Sequence, residues 1–245
     1  MKKNINITLC FLISLFNTTV VFSQDEWIQQ TSGTNSTMND VFFKDQNNGW
    51  IVGDNGTILR TTDGGTNWVP AASGTSNALY SVFFIDNYTG WSVGLNGTIF
   101  KSTDGGMNWS SYPSGVYNTL YSIFFIDHNN GWIAGGSKVF RTTNSGVDWL
   151  TQSIGTDNYL QYVFFVNQDT GWTAGQDFTS GYGKIFKTTD GGINWYSQFE
   201  IQVEEFISVQ FINPNIGWAV SRSTEGPPGW DPAGGVYSTS NSGIN

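Results

Sequence analysis

One cysteine, Cys10, and one histidine, His128, are all the chain has of the two side chains most used for metal sites and nucleophilic catalysis. Ser–His or Cys–His triads find no support around this one histidine, and no second ligand stands near His128 for a metal. Basic residues are few: 10 Lys and Arg against 19 Asp and Glu, a formal charge of −9. They form no cluster, which excludes nucleic acid as a partner, because phosphate binding needs grouped Lys and Arg. Only 12% of residues are charged. Apolar runs long enough to cross a bilayer are missing too. The longest, Ile7 to Phe16, is about half of the ~20 residues a helical span needs.

That short run has another reading. Lys2 and Lys3 precede it, and Val21-Phe22-Ser23 follows as a small-residue cleavage site. This is the layout of a secretory signal, with 1–23 removed and Gln24 as the mature start. Leu9 before Cys10 makes a poor lipoprotein acylation site. Cys10 would leave with the signal, so no disulfide could hold the mature chain. Loss of Lys2 and Lys3 would take the charge to about −11. The expected location is outside the cytoplasm: extracellular, cell-surface or periplasmic.

What is abundant is aromatic residues (16%) and glycine (30 residues), the composition of all-β domains with many tight turns. They recur in register. Gly-Trp appears at Trp50, Trp91, Trp132, Trp172 and Trp218. A second series runs Trp27, Trp68, Trp109, Trp149 and Trp195. Both have spacings of 41, 41, 40 and 46. A third series, Val41-Phe42-Phe43 and its copies at 82, 123, 163 and 209, begins 14 residues after each second-series Trp. Ten of the eleven Trp residues sit on this lattice; Trp230 alone does not. A fixed period of this length marks a repeat architecture.

Each unit reads as four short strands, A to D. In the second, Leu79 to Ile85 is strand A, Trp91 to Gly94 strand B, Thr98 to Ser102 strand C and Asn108 to Tyr112 strand D. Asn96-Gly97 makes a hairpin turn in which both residues tolerate positive φ. Strand A is an apolar run, as expected when both faces are buried. Four antiparallel strands per unit make a propeller blade. The predicted fold is an all-β propeller over 24–245: a strand at 25–33 that closes the last blade, then blades at about 38–72, 79–113, 120–153, 160–199 and 206–245. The last blade stops inside its motif, so five units of a seven-bladed ring are expected.

The C–D turn carries the sharpest motif, Thr61-Thr62-Asp63-Gly64-Gly65-Thr66-Asn67-Trp68, repeated at 102–109, 142–149 and 188–195. Its Asp or Asn side chain can bond backbone N–H groups of its own turn, and its glycines supply positive φ. The Trp folds back over the hairpin and buries about 150–250 Å², an upper bound of roughly 4–6 kcal/mol. Structural roles are therefore expected for Asp63, Trp68, Asp104, Trp109, Asn144, Trp149, Asp190 and Trp195.

This turn resembles the Asp-box, or BNR repeat. With the "VFF-x-D-x-x-x-GW" pattern, the whole mature chain is similar to the propellers of photosystem II assembly and stability factors, and to exported bacterial proteins without a photosynthetic role. Sialidases, xyloglucanases and sortilin-type receptors share the Asp-box, so the resemblance implies a fold more than a function. The sialidase group implies an arginine triad, but the chain has only Arg60, Arg141 and Arg222. Arg60 and Arg141 occupy the strand C position that Lys101 and Lys187 fill elsewhere, expected to salt-bridge or cover a blade edge. The photosystem factors imply a basic patch, which a chain this acidic lacks.

Most acidic residues fall on the lattice: Asp45, Asp86 and Asp127 at one turn position, Asp63, Asp104 and Asp190 at another. His128 reads as a solvated turn residue. Residues that break the repeat remain. Insertions at 176–182 and 222–234 lengthen two B–C connections, and Glu200, Glu204 and Glu205 replace Ser, Thr and Asn in a D–A segment. B–C and D–A connections share one face of a propeller. The expected binding face is thus acidic and aromatic: Asp177, Phe178, Tyr182, Glu204, Glu205, Glu225, Trp230 and Asp231. No cofactor or metal is expected. The predicted function is a non-enzymatic exported module that binds a protein or glycan. The alternative is the N-terminal part of a secreted glycoside hydrolase, with Glu204 or Glu205 and Glu225 or Asp231 as acid and base.

Overall fold

The structure is a computed structural model, and it describes residues 28–155, 158–202, 204–223 and 234–243. The chain divides into two compact units, Met1–Gln30 and Thr31–Asn245. All the strands among the described residues lie in the second.

Among the described residues, nineteen strands form five antiparallel sheets. The first holds β1 (Met38–Phe43), β2 (Gly49–Gly53), β3 (Ile58–Thr61) and β4 (Val69–Ala71). The second holds β5 (Leu79–Phe84), β6 (Gly90–Gly94), β7 (Ile99–Ser102) and β8 (Ser110–Tyr112). The third holds β9 (Ser122–Phe125), β10 (Gly131–Gly135), β11 (Lys138–Thr142) and β12 (Leu150–Ser153). The fourth holds β13 (Asn158–Phe165), β14 (Gly171–Asp177), β15 (Tyr182–Thr188) and β16 (Tyr196–Gln202). The fifth has three strands among the described residues: β17 (Glu204–Phe211), β18 (Gly217–Ser223) and β19 (Val236–Thr239). Strand order follows the chain in every sheet. The first strands β1, β5, β9, β13 and β17 lie beside one another in sequence, the arrangement of successive blades in a β-propeller. The expected closing strand at 25–33 lies partly outside the described residues, and 28–33 belong to no strand.

The core is a set of layers between successive sheets. Trp50, Val52 and Ile58 of the first pack on Leu79, Val82 and Phe84 of the second, and three similar clusters follow. One joint repeats in each layer. The strand B Trp lies flat on the strand A Phe of the next sheet: Trp50 on Phe84 at 3.5 Å, Trp91 on Phe125 at 3.6 Å, Trp132 on Phe165 at 3.6 Å and Trp172 on Phe211 at 3.5 Å between centroids. Each Trp Nε1–H crosses to the next sheet's C–D turn in three of these, donating to the carbonyls of Gly105 (2.8 Å), Ser145 (3.3 Å) and Gly191 (2.9 Å). In the fourth it donates to the Gln198 Oε1 of its own sheet (2.9 Å). The same Phe meets its own sheet's strand D Trp edge-on, as Phe84 does Trp109 at 5.7 Å and 89°. The Gly before each strand B Trp pairs across the ladder with that sheet's Phe, as Gly90 does with Phe84. A Cβ at Gly90 would lie 2.5 Å from the ring. Gly-Trp is a unit because the glycine makes room for one ring and the indole covers the next.

The C–D turns behave as their residues dictate. Asp63 accepts from the backbone N–H (2.9 Å) and side-chain amide (2.7 Å) of Asn67, and from the Thr61 hydroxyl (2.8 Å). Asp104 and Asp190 repeat this with Asn108 and Asn194. In the third copy the pair is reversed: Asn144 accepts the Asp148 N–H at 3.0 Å and donates to its carboxylate at 2.9 Å. Gly64 and Gly65 have φ of 71° and 88°. The hairpin turns also match expectation, with φ of 56° at Asn96 and 69° at Gly97.

The cations at the repeated strand C position, Arg60, Lys101, Arg141 and Lys187, form no ion pair with a carboxylate among the described residues. Lys101, Arg141 and Lys187 instead lie over Trp91, Trp132 and Trp172 at 5.2, 5.9 and 5.4 Å. Lys101 also donates to the Ser145 carbonyl of the next sheet, and burial lowers its ammonium pKa. His128 is likewise a bridge between sheets, its Nε2 3.4 Å from Asp86. Asn87 donates to Asp45 (2.9 Å) and Gln168 to Asp127 (3.1 Å) at the same position.

Candidate binding site

The two insertions expected to be loops differ from that expectation where the structure describes them. Residues 176, 177 and 182 extend the ladder, with Gln176 opposite Gly183 and Asp177 opposite Tyr182. A tight turn closes it. Asp177 accepts the N–H of Thr179, the Gly181 N–H bonds the Asp177 carbonyl, and Gly181 has φ of 72°. Glu200, Glu204 and Glu205 likewise lie in strands.

These carboxylates are engaged within the fold. Asp177 pairs with Lys184 at 2.9 Å, and Lys184 reaches Glu200 at 3.5 Å. The Lys184 ammonium, with backbone N–H groups, holds the Asp177 carboxyl below its ordinary value. Glu204 accepts from the Ser221 and Tyr237 hydroxyls. Glu205, 4% exposed, accepts from the Gln161 amide and from Arg222 Nε at 2.6 Å. Tyr182 is half-buried opposite Gln202 in the β15–β16 ladder. Of the expected face, Phe178 stands open at 65% exposure. Glu225, Trp230 and Asp231 lie outside the described residues.

What Phe178 joins was not legible as a site. Its ring packs 5.1 Å from Tyr159, Tyr159 lies 5.0 Å from Tyr121, and Tyr121 lies 5.3 Å from Tyr80. The four rings make a stair across the second, third and fourth sheets. A β-bulge helps to build it. The ladder register shifts between Leu79 and Ser81, leaving Tyr80 without a strand partner. Similar shifts fall at Asn39, Gln161 and Ile207. Bulges re-aim side chains and collect near functional sites. The Tyr121 and Tyr159 hydroxyls bond each other. Burial raises the Tyr121 phenol pKa, and the nearby Tyr80 and Glu205 add to the rise.

Beside the stair runs an open groove of about 620 Å³ between the third and fourth sheets, with Tyr117 and Phe178 at its lips and Tyr121 and Tyr159 along its wall. Among the described residues, no three His, Cys, Asp or Glu are placed to hold a metal ion, and no helix is long and apolar enough to cross a membrane.

The sequence matches the family described as photosynthesis system II assembly factor YCF48 over residues 19–111 and 71–200. No curated protein is significantly similar. Among solved structures, YCF48 from Cyanidioschyzon merolae is similar over 86% of this chain and 74% of its own, at 19% identity and a TM-score of 0.63. An ancestral GH74 enzyme is similar over 89% of this chain at 19% identity and a TM-score of 0.69. The GH74 enzyme of Niastella koreensis is similar over 84%, at 14% and 0.64. This chain spans 32% and 37% of those two enzymes. Identities this low establish a shared fold alone.

Proposed function

Because the chain belongs to the YCF48 family of photosystem II assembly factors, a family of β-propellers, we propose that it works as an exported, non-enzymatic binding module. Its partner, a protein or a glycan, docks on the face that carries the stair of Tyr80, Tyr121, Tyr159 and Phe178. The observation that carries this reading is that stair with its groove: exposed aromatic area beside polar groups, on otherwise regular sheets. The family's photosystem partner is not carried over, since the chain has 10 basic against 19 acidic residues and no basic cluster. Export rests on the signal-like segment at 1–23, and the repeated turns are read as Asp-boxes that hold the sheets rather than as chemistry.

The test is site-specific photocrosslinking from Tyr117 in the native producer, with Tyr196, exposed on β16, as control. A specific adduct from Tyr117 alone supports the reading; equal labelling from both sites rejects it.

A second reading is part of a glycoside hydrolase, favoured by the fold shared with GH74 enzymes. It needs two carboxyl groups about 5–10 Å apart across a cleft. Glu204 and Glu205 are both tied to neighbours within the fold. Hydrolysis of neutral polysaccharides that is lost in Glu204→Gln or Glu205→Gln would favour this reading.

A further inference from the structure

The groove between the third and fourth sheets is aromatic and uncharged. Its lining includes three tyrosines and a phenylalanine with amide and hydroxyl groups such as Asn118 and Ser137, and no charged residue. This occurs on a chain of net charge −9. A ligand with a formal charge would find no counter-ion there, and leaving a charge unpaired is costly. The ligand that fits is neutral, with apolar faces for the rings and hydroxyls for the polar rim.

The lips favour a flat-sided ligand. Tyr117 is 92% and Phe178 65% exposed, so each offers a ring to whatever lies between them. Tyr121 and Tyr159 spend their hydroxyls on each other and so present ring surface rather than two free donors. An extended peptide would need either an unpaired strand edge or donors for its carbonyls. The outer edges of the sheets at the groove are β12 and β16. Groove residues 117–119, 121, 136–137 and 178–179 instead lie in the connections that precede β9, join β10 to β11 and join β14 to β15, while Tyr159 stands near the start of β13, whose Leu160 N–H is taken by the Gly136 carbonyl. The volume, about 620 Å³, suits a short run of sugar rings, within the ~300–1,000 Å³ common for ligand sites.

We propose that this groove binds an uncharged segment of a polysaccharide, with a pyranose ring held between Tyr117 and Phe178 and its hydroxyls bonded by Asn118 and Ser137. The inference rests on the binding-face reading above and adds the ligand class.

The test is affinity electrophoresis of the full chain in gels containing hydroxyethyl cellulose, galactomannan or arabinoxylan, with polygalacturonate as a charged probe. The expected result is retardation by at least one neutral polymer, unchanged by 0.5 M NaCl and absent with polygalacturonate. Tyr117→Ala and Phe178→Ala, both at exposed rings, should each weaken it about tenfold, whereas Tyr196→Ala should not. No retardation by any neutral polymer, or equal retardation of all variants, overturns the proposal. A proline-rich polypeptide competing at the same residues also overturns it. The crosslinking experiment separates the two ideas. A protein adduct from Tyr117 without neutral-polymer binding ends the glycan inference and leaves the binding face; neither result ends both.

Discussion

The indole of Trp50 lies 3.5 Å from the ring of Phe84 and within 7° of parallel, across the boundary between two sheets. The two residues are 34 positions apart in the chain. Their counterparts meet in the same way at three further boundaries. Stability of the array is therefore held in the contacts between sheets as much as within them.

Trp132, fully buried, should show this most clearly. Trp132→Ala is expected to cost about 3–5 kcal/mol, and Trp132→Phe less, because the stack is partly kept. The Phe variant should still lose about 1 kcal/mol for the N–H to the Gly191 carbonyl. Urea melts followed by circular dichroism would measure both.

Gly131→Ala should destabilise severely, since its Cβ would stand 2.6 Å from the Phe125 ring. Gly74→Ala has open space around it but a φ of 75°, so a loss of about 1 kcal/mol is expected. If the two variants melt alike, the ring-on-glycine account is wrong.

The reversed pair at Asn144 and Asp148 predicts a rescue. Asp104→Asn faces one amide with another at Asn108 and should lose about 1 kcal/mol. Adding Asn108→Asp restores the arrangement already present in the third sheet and should recover most of it. A double-mutant cycle with no coupling would reject this.

Acid should weaken the fold. Asp63 is held below its ordinary pKa by the Asn67 amide and N–H, and Asp104 by the Asn108 N–H and amide. Asp45 is held low by Asn48. A depressed carboxyl contributes stability above its unfolded pKa, near 3.9, and loses it as pH falls through the native value. Melting temperature should be flat above about pH 5 and fall below about pH 4. A fall that begins above about pH 5 would contradict this account.

Phe43 and Trp218 have no flat-stacking partner among the described residues and are 42% and 45% exposed. They present the two halves of the joint that is closed elsewhere. The isolated chain is expected to associate as its concentration rises, and Phe43→Ser with Trp218→Ser should reduce this in light scattering. A monodisperse monomer at all concentrations would contradict it.

The period of the Trp, Phe-Phe and Asp-Gly-Gly markers was enough to place the sheets, because each marker has one local job: a turn, a hairpin or a buried face. The same regularity set Asp63, Asp104 and Asp190 apart as turn residues, and each accepts a backbone N–H of its own turn. Phe178 stood out by its break in the repeat. The rest of the site was not, because Tyr80 and Tyr121 stand inside the regular strand A pattern and Tyr159 just before it. Their one sequence signal is that the residue after the Leu varies, as Tyr80, Tyr121 and Gln161.

The amino-acid sequence by itself determined the repeat, the turns and the strand order, since these follow from backbone preferences and from periodicity within about 41 residues. Only the tertiary structure decided which side chains from different sheets meet. Glu204, Glu205 and Asp177 read as an open acidic face, yet cross-strand neighbours such as Tyr237, Arg222 and Lys184 engage them. The tyrosine stair exists because strand bulges and sheet-to-sheet packing bring rings about 40 positions apart to centroid distances of 5.0 and 5.3 Å. Such proximity depends on how successive sheets turn past one another, which no local pattern records.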